Sequence, residues 1–491
     1  MEVLAVKTLS FQTLREQNYQ GYLLENAPER VLQFGEGNFL RAFVDCFIDM
    51  ANESAGFNGK VVVVQPVSAD FLRERFQQQD CLYTLYQHGI ENGQQVNRKR
   101  IISCISRCIS AVDDFAAVLA CAQNPDLRYI VSNTTEAGIV FSETDQFEKP
   151  ASATFPGKLT RFLFERFQAF GGSAECGFVL LPCELIEENG HALKTCVMKY
   201  ITLWNLGADF AAWIESANEF CSTLVDRIVP GYPKNAVELN EENGYEDNLL
   251  DSSEPFGFWA IEGRESLNDE LPFAKIGLPV LVTPNCAPYK QRKVRILNGA
   301  HTASVCAALL CGLETVGEMM DDVSLRSYIN NAIQTEIIPT LDLPKAELDD
   351  FAASVIERFL NPYIRHELIS ITLNSTSKWC ARVLPSVLEY QRRTEKLPSL
   401  LTFSFAAYAA FFRSGKFPVK DDAEVLDFFA ARKDGDGAAF MAALCAEQVF
   451  WGCDLTAVAD FLPAVTAHLD RIETLGAKAA LEAVLREAAV S

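Results

Sequence analysis

Apolar positions follow two different patterns along this chain, and the change between them divides it. In the first half, short apolar runs rich in β-branched residues alternate with stretches of three- and four-residue apolar spacing. Residues 30–34 (RVLQF), 60–65 (KVVVVQ), 100–105, 127–132 (LRYIVS) and 177–182 (GFVLLP) read as strands. Residues 38–51, 112–122 and 158–169 read as helices. Several strand runs are apolar at nearly every position, as strands buried on both faces must be. Strands alternating with helices predict right-handed crossovers and a doubly wound parallel sheet.

Near residues 279–288 the valine-rich runs stop and helical spacing takes over. Helices are expected over 303–313, 323–336, 348–359, 400–413, 422–431, 436–447, 455–475 (kinked at Pro463) and 477–488, with prolines and the KDGDG turn at 433–437 between them. The pattern predicts an α/β, Rossmann-type N-terminal domain over residues 1–285 and an all-helical domain over 286–491. A chain of 491 residues is too long for one core in any case. The polar, acidic segment 233–254 reads as a long surface excursion.

Composition narrows the function. Hydrophobic residues at 49% and charged residues at 22% are globular values. A net charge of -22, from 43 basic and 65 acidic residues, opposes binding to nucleic acid or an anionic membrane. It also means that an anionic substrate needs a local basic pocket. The start, MEVLAVKTLS, lacks the basic and apolar regions of a signal peptide. The fifteen cysteines include no C-x-x-C pair, so reduced thiols and a cytoplasmic location are expected. Five scattered histidines without ligand spacing argue against a zinc site, and no metal is expected.

Two stretches carry candidate chemistry. Gly35-Glu36-Gly37 follows a strand and opens a helix, where glycine lets backbone N–H groups approach a pyrophosphate. Leu40 stands where a full G-x-G-x-x-G has its third glycine, so an ordinary strand–helix turn is the competing reading. Phe34, Asn38 and Phe39 flank this turn. The second strand ends in Gln65, with neither an acid for ribose hydroxyls nor a base for a 2′-phosphate; NAD is favoured. Asn133, Thr134 and Glu136 follow a later strand and belong to the loops that line the crevice of such sheets.

The second stretch is KVRILNGAH, from Lys293 to His301. On a regular helix Asn298 lies roughly 140° and His301 roughly 80° around from Lys293, so all three can face a cleft between the domains. They suit carbonyl reduction: an amide stabilises the developing oxyanion and a lysine protonates it. Arg292 and Arg295, with desolvation, would depress the lysine's pKa for the reverse direction. On spacing alone, a basic amphipathic helix with a satisfied core histidine explains the same residues. Asp226-Arg227 likewise reads as a surface ion pair.

Taken together these residues resemble the polyol-specific long-chain dehydrogenase (mannitol dehydrogenase) family, over nearly the whole chain. The pattern K-x-x-x-x-N-x-x-H falls on Lys293, Asn298 and His301; G-x-G-x-F-x-R-A on Gly35 to Ala42; D-R-I-x-P on Asp226 to Pro230; and R-F-x-N-P on Arg358 to Pro362. The block EPFGFWAIE at 254–262 is also similar. The resemblance implies a Rossmann-type NAD domain, a helical substrate domain and zinc-free chemistry. It assigns Lys293 as general acid/base, Asn298 as the carbonyl polariser, His301 as a substrate-orienting residue and Asp226 as a neighbour of substrate. Leu40 stands where mannitol dehydrogenases carry histidine, and Leu185 where they carry a second oxyanion donor. Both departures point to the keturonate-reducing branch. The function so implied is NADH-linked reduction of D-tagaturonate to D-altronate, with His366 or Lys378 binding the substrate carboxylate. Fructuronate reduction and mannitol 2-dehydrogenation are the alternatives within the family, and a non-catalytic NAD-binding protein the alternative outside it. Oligomeric state is left open.

Overall fold

The computed structural model describes residues 7–67, 72–135, 137–148 and 152–489. Contacts divide the chain into Met1–Gly89 with Gln95–Cys286, and Ile90–Gln94 with Ala287–Ser491. The first unit holds the strands β1 (Glu29–Phe34), β2 (Lys60–Gln65), β3 (Tyr83–Glu91), β4 (Gln94–Ile102), β5 (Ile105–Ser110), β6 (Tyr129–Ser132), β7 (Val179–Pro182), β8 (Glu219–Phe220), β9 (Thr223–Asp226), β10 (Asp251–Ser253), β11 (Phe258–Glu262) and β12 (Val280–Thr283), save that the β3–β4 turn clusters with the second. Six of them form an all-parallel sheet in the order β5-β2-β1-β6-β7-β8. Strand order reverses between β1 and β6, the switch point at which doubly wound sheets open a crevice.

Successive residues on these strands feed two separate cores. Val61 and Val63 of β2, Tyr129 and Val131 of β6, and Val179 and Leu181 of β7 pack into one. Val62 and Val64, Ile130, and Leu180 pack into the other. Side chains alternate across a strand, so only a sheet covered on both faces gives this division. The doubly wound expectation is met.

Two local expectations fail for identifiable reasons. Residues 100–105 are not one strand; they join the end of β4 to the start of β5. The break is held by buried Asp49, whose carboxylate accepts the Ser103 backbone N–H at 2.8 Å and its hydroxyl at 3.0 Å. The acidic segment 233–254 is no surface excursion. Leu239, Tyr245, Leu249 and Leu250 are buried, and so are Asp247 and Asp251. The Asp247 carboxylate accepts from Gln79 Nε2 and from the Thr84 and Leu249 backbone N–H groups. Polarity was misleading here because backbone donors compensate the buried charge.

Asp45 shows the cost of such burial. Gln33 Nε2 donates to its Oδ2 at 3.2 Å, while its Oδ1 is buried without a hydrogen-bond partner. Burial pushes its pKa from 3.8 to about 7, against the pull of Gln33 and Arg41 and with added repulsion from Asp49 and Asp251. A native value above the unfolded one means that this contribution to stability is fully present below pH 3.8 and is lost as pH rises through about 7. The Asp45→Asn variant should therefore gain on the wild type as pH rises in that window, by up to about 1.4 kcal/mol per pH unit. Urea unfolding at pH 5 and pH 7.5 measures this; a difference independent of pH would contradict it.

The second unit is helical from Ala287 onward. Ser399–Arg413 is buried from Leu400 to Phe412 and packs against Phe461–Leu475 and Gly299–Leu310. Its buried N-terminus has no side-chain cap of its own; Glu336 accepts the Leu400 and Leu401 N–H groups, both at 2.8 Å. That arrangement supplies orphan helix donors with a carboxylate at the positive end of the dipole. The expected kink at Pro463 is instead a helix start: Phe461–Leu475 begins two residues before it. Proline is tolerated there because first-turn N–H groups have no helical acceptor.

Candidate functional site

β1 ends at Phe34, whose ring packs on Phe155 with centroids 5.0 Å apart, so only its backbone faces the turn that follows. Gly35 then adopts φ +129°, which L side chains rarely adopt. A Cβ there would also lie 3.0 Å from Asn133 O and 3.2 Å from Leu40 Cδ1. Gly37 differs: it is exposed, and a Cβ would have nothing within 4 Å. The turn is thus closed against β6 through Gly35 and open to a ligand at Gly37. It leads into Asn38–Leu40, a π-helical turn at Arg41–Asp45 and the helix Cys46–Ala55.

Neighbouring side chains fasten this turn. Arg41 donates to Glu36 O at 3.2 Å, to Asn38 Oδ1 and to Leu249 O. Asn38 is exposed and Phe39 half-buried against Phe43. Asn133 N donates to Phe34 O at 3.1 Å, and Thr134 donates through its N–H and hydroxyl to Glu184 Oε1, each at 2.9 Å. Gln65 is buried at the end of β2. Gly35, Gly37, Asn133 and Thr134 thus share one edge of the sheet; Glu136 lies outside the described residues. Glu184, a buried anchor of the loop after β6, was missed in the sequence because nothing local marks it.

Leu185 is 60% exposed. Asn189 is structural, donating to Pro182 O, Glu184 O and Thr223 O. Asp226 and Arg227 are buried, not a surface ion pair. Arg227 donates to Ala42 O at 2.7 Å and Phe256 O at 2.8 Å, and its guanidinium lies over Phe43 and Phe47. Asp226 closes β9, paired with Phe258.

In the second unit, Ala287–Arg292, a π-helical turn at Lys293–Asn298 and the helix Gly299–Leu310 run on continuously. The regular-helix geometry expected for KVRILNGAH is therefore corrected. Gly299 N–H donates to Val294 O, five residues back. An i→i+5 turn brings residues five apart, such as Lys293 and Asn298, nearer to one another around the axis than a regular helix does. His301 follows Asn298 at the i,i+3 spacing of helix neighbours.

His301 stacks on Phe359 with centroids 3.9 Å apart and 8° between planes, and meets His366 edge-on at 5.4 Å. Its Nε2 is buried and has no hydrogen-bond partner among the described residues. Burial, reinforced by His366, Arg358 and Arg382, holds its pKa far below the ordinary imidazole range, so the ring is neutral. Burial also lowers the His366 pKa. Lys378 donates to Ile371 O at 2.9 Å, and burial with the nearby Arg382 charge lowers its pKa. Arg292 lies over Tyr289 and Phe351, and Arg295 donates to Ser386 at 3.1 Å. Among the described residues no group of three His, Cys, Asp or Glu side chains could hold a metal ion, and no helix is long and apolar enough to cross a membrane.

A doubly wound sheet opening on a glycine turn, followed by a helical unit that carries Lys293, Asn298 and His301 on one continuous helix, defines a two-domain dehydrogenase architecture. The chain belongs to the mannitol dehydrogenase family: residues 29–275 match its Rossmann domain and 285–473 its C-terminal domain. It is 45% identical over 484 residues to a protein of Yersinia enterocolitica named altronate oxidoreductase, covering 96% of this chain and 99% of that one. A protein of the same name from Enterobacter sp. is 45% identical over 482 residues, with the same coverage. Among solved structures, Pseudomonas fluorescens mannitol 2-dehydrogenase, determined with NAD and D-mannitol, superposes with a TM-score of 0.70 at 22% identity, covering 98% of this chain and 99% of that one. A D-sorbitol dehydrogenase superposes at 0.76 and 23% identity, covering 94% and 96%. These two likenesses establish the fold.

Proposed function

We propose that the chain is an NAD(H)-dependent oxidoreductase that interconverts D-tagaturonate and D-altronate. What supports this reading is one continuous helix carrying Lys293, Asn298 and His301, in a chain whose near-full-length relatives bear the name altronate oxidoreductase. The open face at Gly37, at the start of a helix, fits a dinucleotide pyrophosphate, with Gly35, Asn133 and Thr134 shaping the edge beside it. Phe34 contributes its backbone to that edge, and Asn38, Phe39 and Gln65 complete it. Bound there, the cofactor supplies or accepts the hydride.

The protein's own part is to manage the oxygen. Lys293 gives its proton to the carbonyl oxygen as negative charge builds there. Asn298, one turn along, donates its amide to the same oxygen. His301 cannot be the acid, because its ring is held neutral; its unpartnered Nε2 instead takes a substrate hydroxyl or oxygen and fixes the approach of the carbonyl. His366 and Lys378, on the same helical unit, flank the substrate.

Steady-state rates with NADH against D-tagaturonate, D-fructuronate and D-fructose, repeated with NADPH, test the reading. Tagaturonate with NADH should give the highest kcat/KM, by at least about tenfold over each alternative, as loss of one or two specific contacts implies. A preference for fructuronate or fructose would overturn the substrate assignment. NADH binding without turnover of any of the three would favour a non-catalytic binding protein.

A further inference from the structure

We propose that Arg382 binds the carboxylate of the sugar-acid substrate and thereby sets the preference for a keturonate over a neutral ketose. The inference rests on the oxidoreductase reading above and names the residue that recognises the acidic end of the substrate.

Arg382 is the last residue of the helix Ser375–Arg382 and is half-buried. Its only hydrogen bond among the described residues is to Thr302 Oγ1, at 3.4 Å, one residue beyond His301. Burial alone acts on its pKa, lowering it; among the described residues no carboxylate stands close enough to support the charge. Arg413, also half-buried in this unit, pairs instead with Glu473 at 3.1 Å, and the half-buried Arg295 feels the opposing charge of Glu389. A desolvated guanidinium without a counter-ion is costly, and in a chain of net charge -22 its lack of one is conspicuous. An anionic ligand removes that cost.

The position is fixed relative to the reacting groups. A Cβ on Gly299 would lie 3.1 Å from Arg382 O, so the end of this helix is seated on the backbone that joins Asn298 to His301. The charge of Arg382 is felt by both His301 and Lys378. Neither expected carboxylate ligand competes well with it. Lys378 already donates to Ile371 O, and burial disfavours the charged form of His366. A guanidinium, by contrast, offers a carboxylate two parallel N–H donors. Its link to Thr302 sets the carboxylate end of the substrate at a defined distance from the carbonyl held by Asn298 and His301.

The test compares wild type, Arg382→Leu and Arg382→Lys on D-tagaturonate and on D-tagatose, which has a primary alcohol in place of the carboxylate. With Arg382→Leu, kcat/KM for tagaturonate should fall on the order of 100-fold, mostly through KM, as loss of one partner of a desolvated charge pair requires. The value for tagatose should fall far less, Arg382→Lys should recover part of the loss, and NADH affinity by fluorescence titration should be unchanged. An unchanged tagaturonate KM, or a proportional fall on both substrates, would overturn the assignment while leaving the oxidoreductase reading intact. A wild type that reduces no keturonate would overturn both.

Discussion

The Lys293→Ala variant should lose a factor of about 10²–10⁴ in kcat for NADH-dependent reduction of tagaturonate, the range for removal of a general acid. The loss should be in chemistry alone. Lys293 is half-buried on a helix that runs without interruption from Ala287 to Leu310, and alanine is the best helix former, so the fold tolerates the change. No neighbour can take over the proton. His301 is held neutral by burial and by the cations around it, and Asn298 has no proton to give. NADH affinity should remain within about twofold of wild type, because the residues assigned to the cofactor lie in the other unit. Pre-steady-state rates together with NADH titration make the comparison; a variant turning over near the wild-type rate would remove Lys293 from the mechanism.

The second large effect is expected at the glycine turn, where two single-methyl changes should behave differently. Gly35→Ala forces φ near +129° on a residue with a Cβ and sets that carbon 3.0 Å from Asn133 O. Strain of this kind costs of order 1–3 kcal/mol, so both unfolding stability and NADH affinity should fall. Gly37→Ala meets no protein atom within 4 Å. It should leave stability within about 0.5 kcal/mol of wild type, as an unconstrained surface change does, and still weaken NADH binding about tenfold or more. Calorimetric titration and thermal unfolding of both variants separate the two effects. A Gly37→Ala variant with wild-type NADH affinity would contradict the cofactor's place at the turn.

Much of this architecture is legible before any coordinates. A parallel strand such as 60–65 declares itself because burial on both faces demands apolar side chains at successive positions, and the helices at 399–413 and 477–488 repeat a local period. What was illegible is what depends on distant partners. Asp247 looks like a surface residue until Gln79 and the Thr84 N–H, from elsewhere in the chain, donate to it. Glu336 reads as the end of one helix, yet its carboxylate caps another helix sixty residues on. Glu184 is one more acidic residue in the sequence, yet it holds the loop at Thr134 fifty residues away. The π-helical turn at Lys293–Asn298 leaves no trace in apolar spacing, since a single extra residue in a turn is indistinguishable from ordinary irregularity. That turn nevertheless alters the geometry of the candidate site more than any other local feature. Arg382 was overlooked for a related reason: a cation is ordinary in sequence and becomes informative only once no carboxylate is found beside it.

The central claim is that this chain reduces a keturonate at the expense of NADH, with Lys293 protonating the oxygen. It is tested most directly by incubating the protein with NADH and D-tagaturonate and identifying the product by nuclear magnetic resonance. The account predicts D-altronate as the sole product, one molecule for each NADH oxidised. No product, or a reduced sugar acid other than altronate, would contradict it.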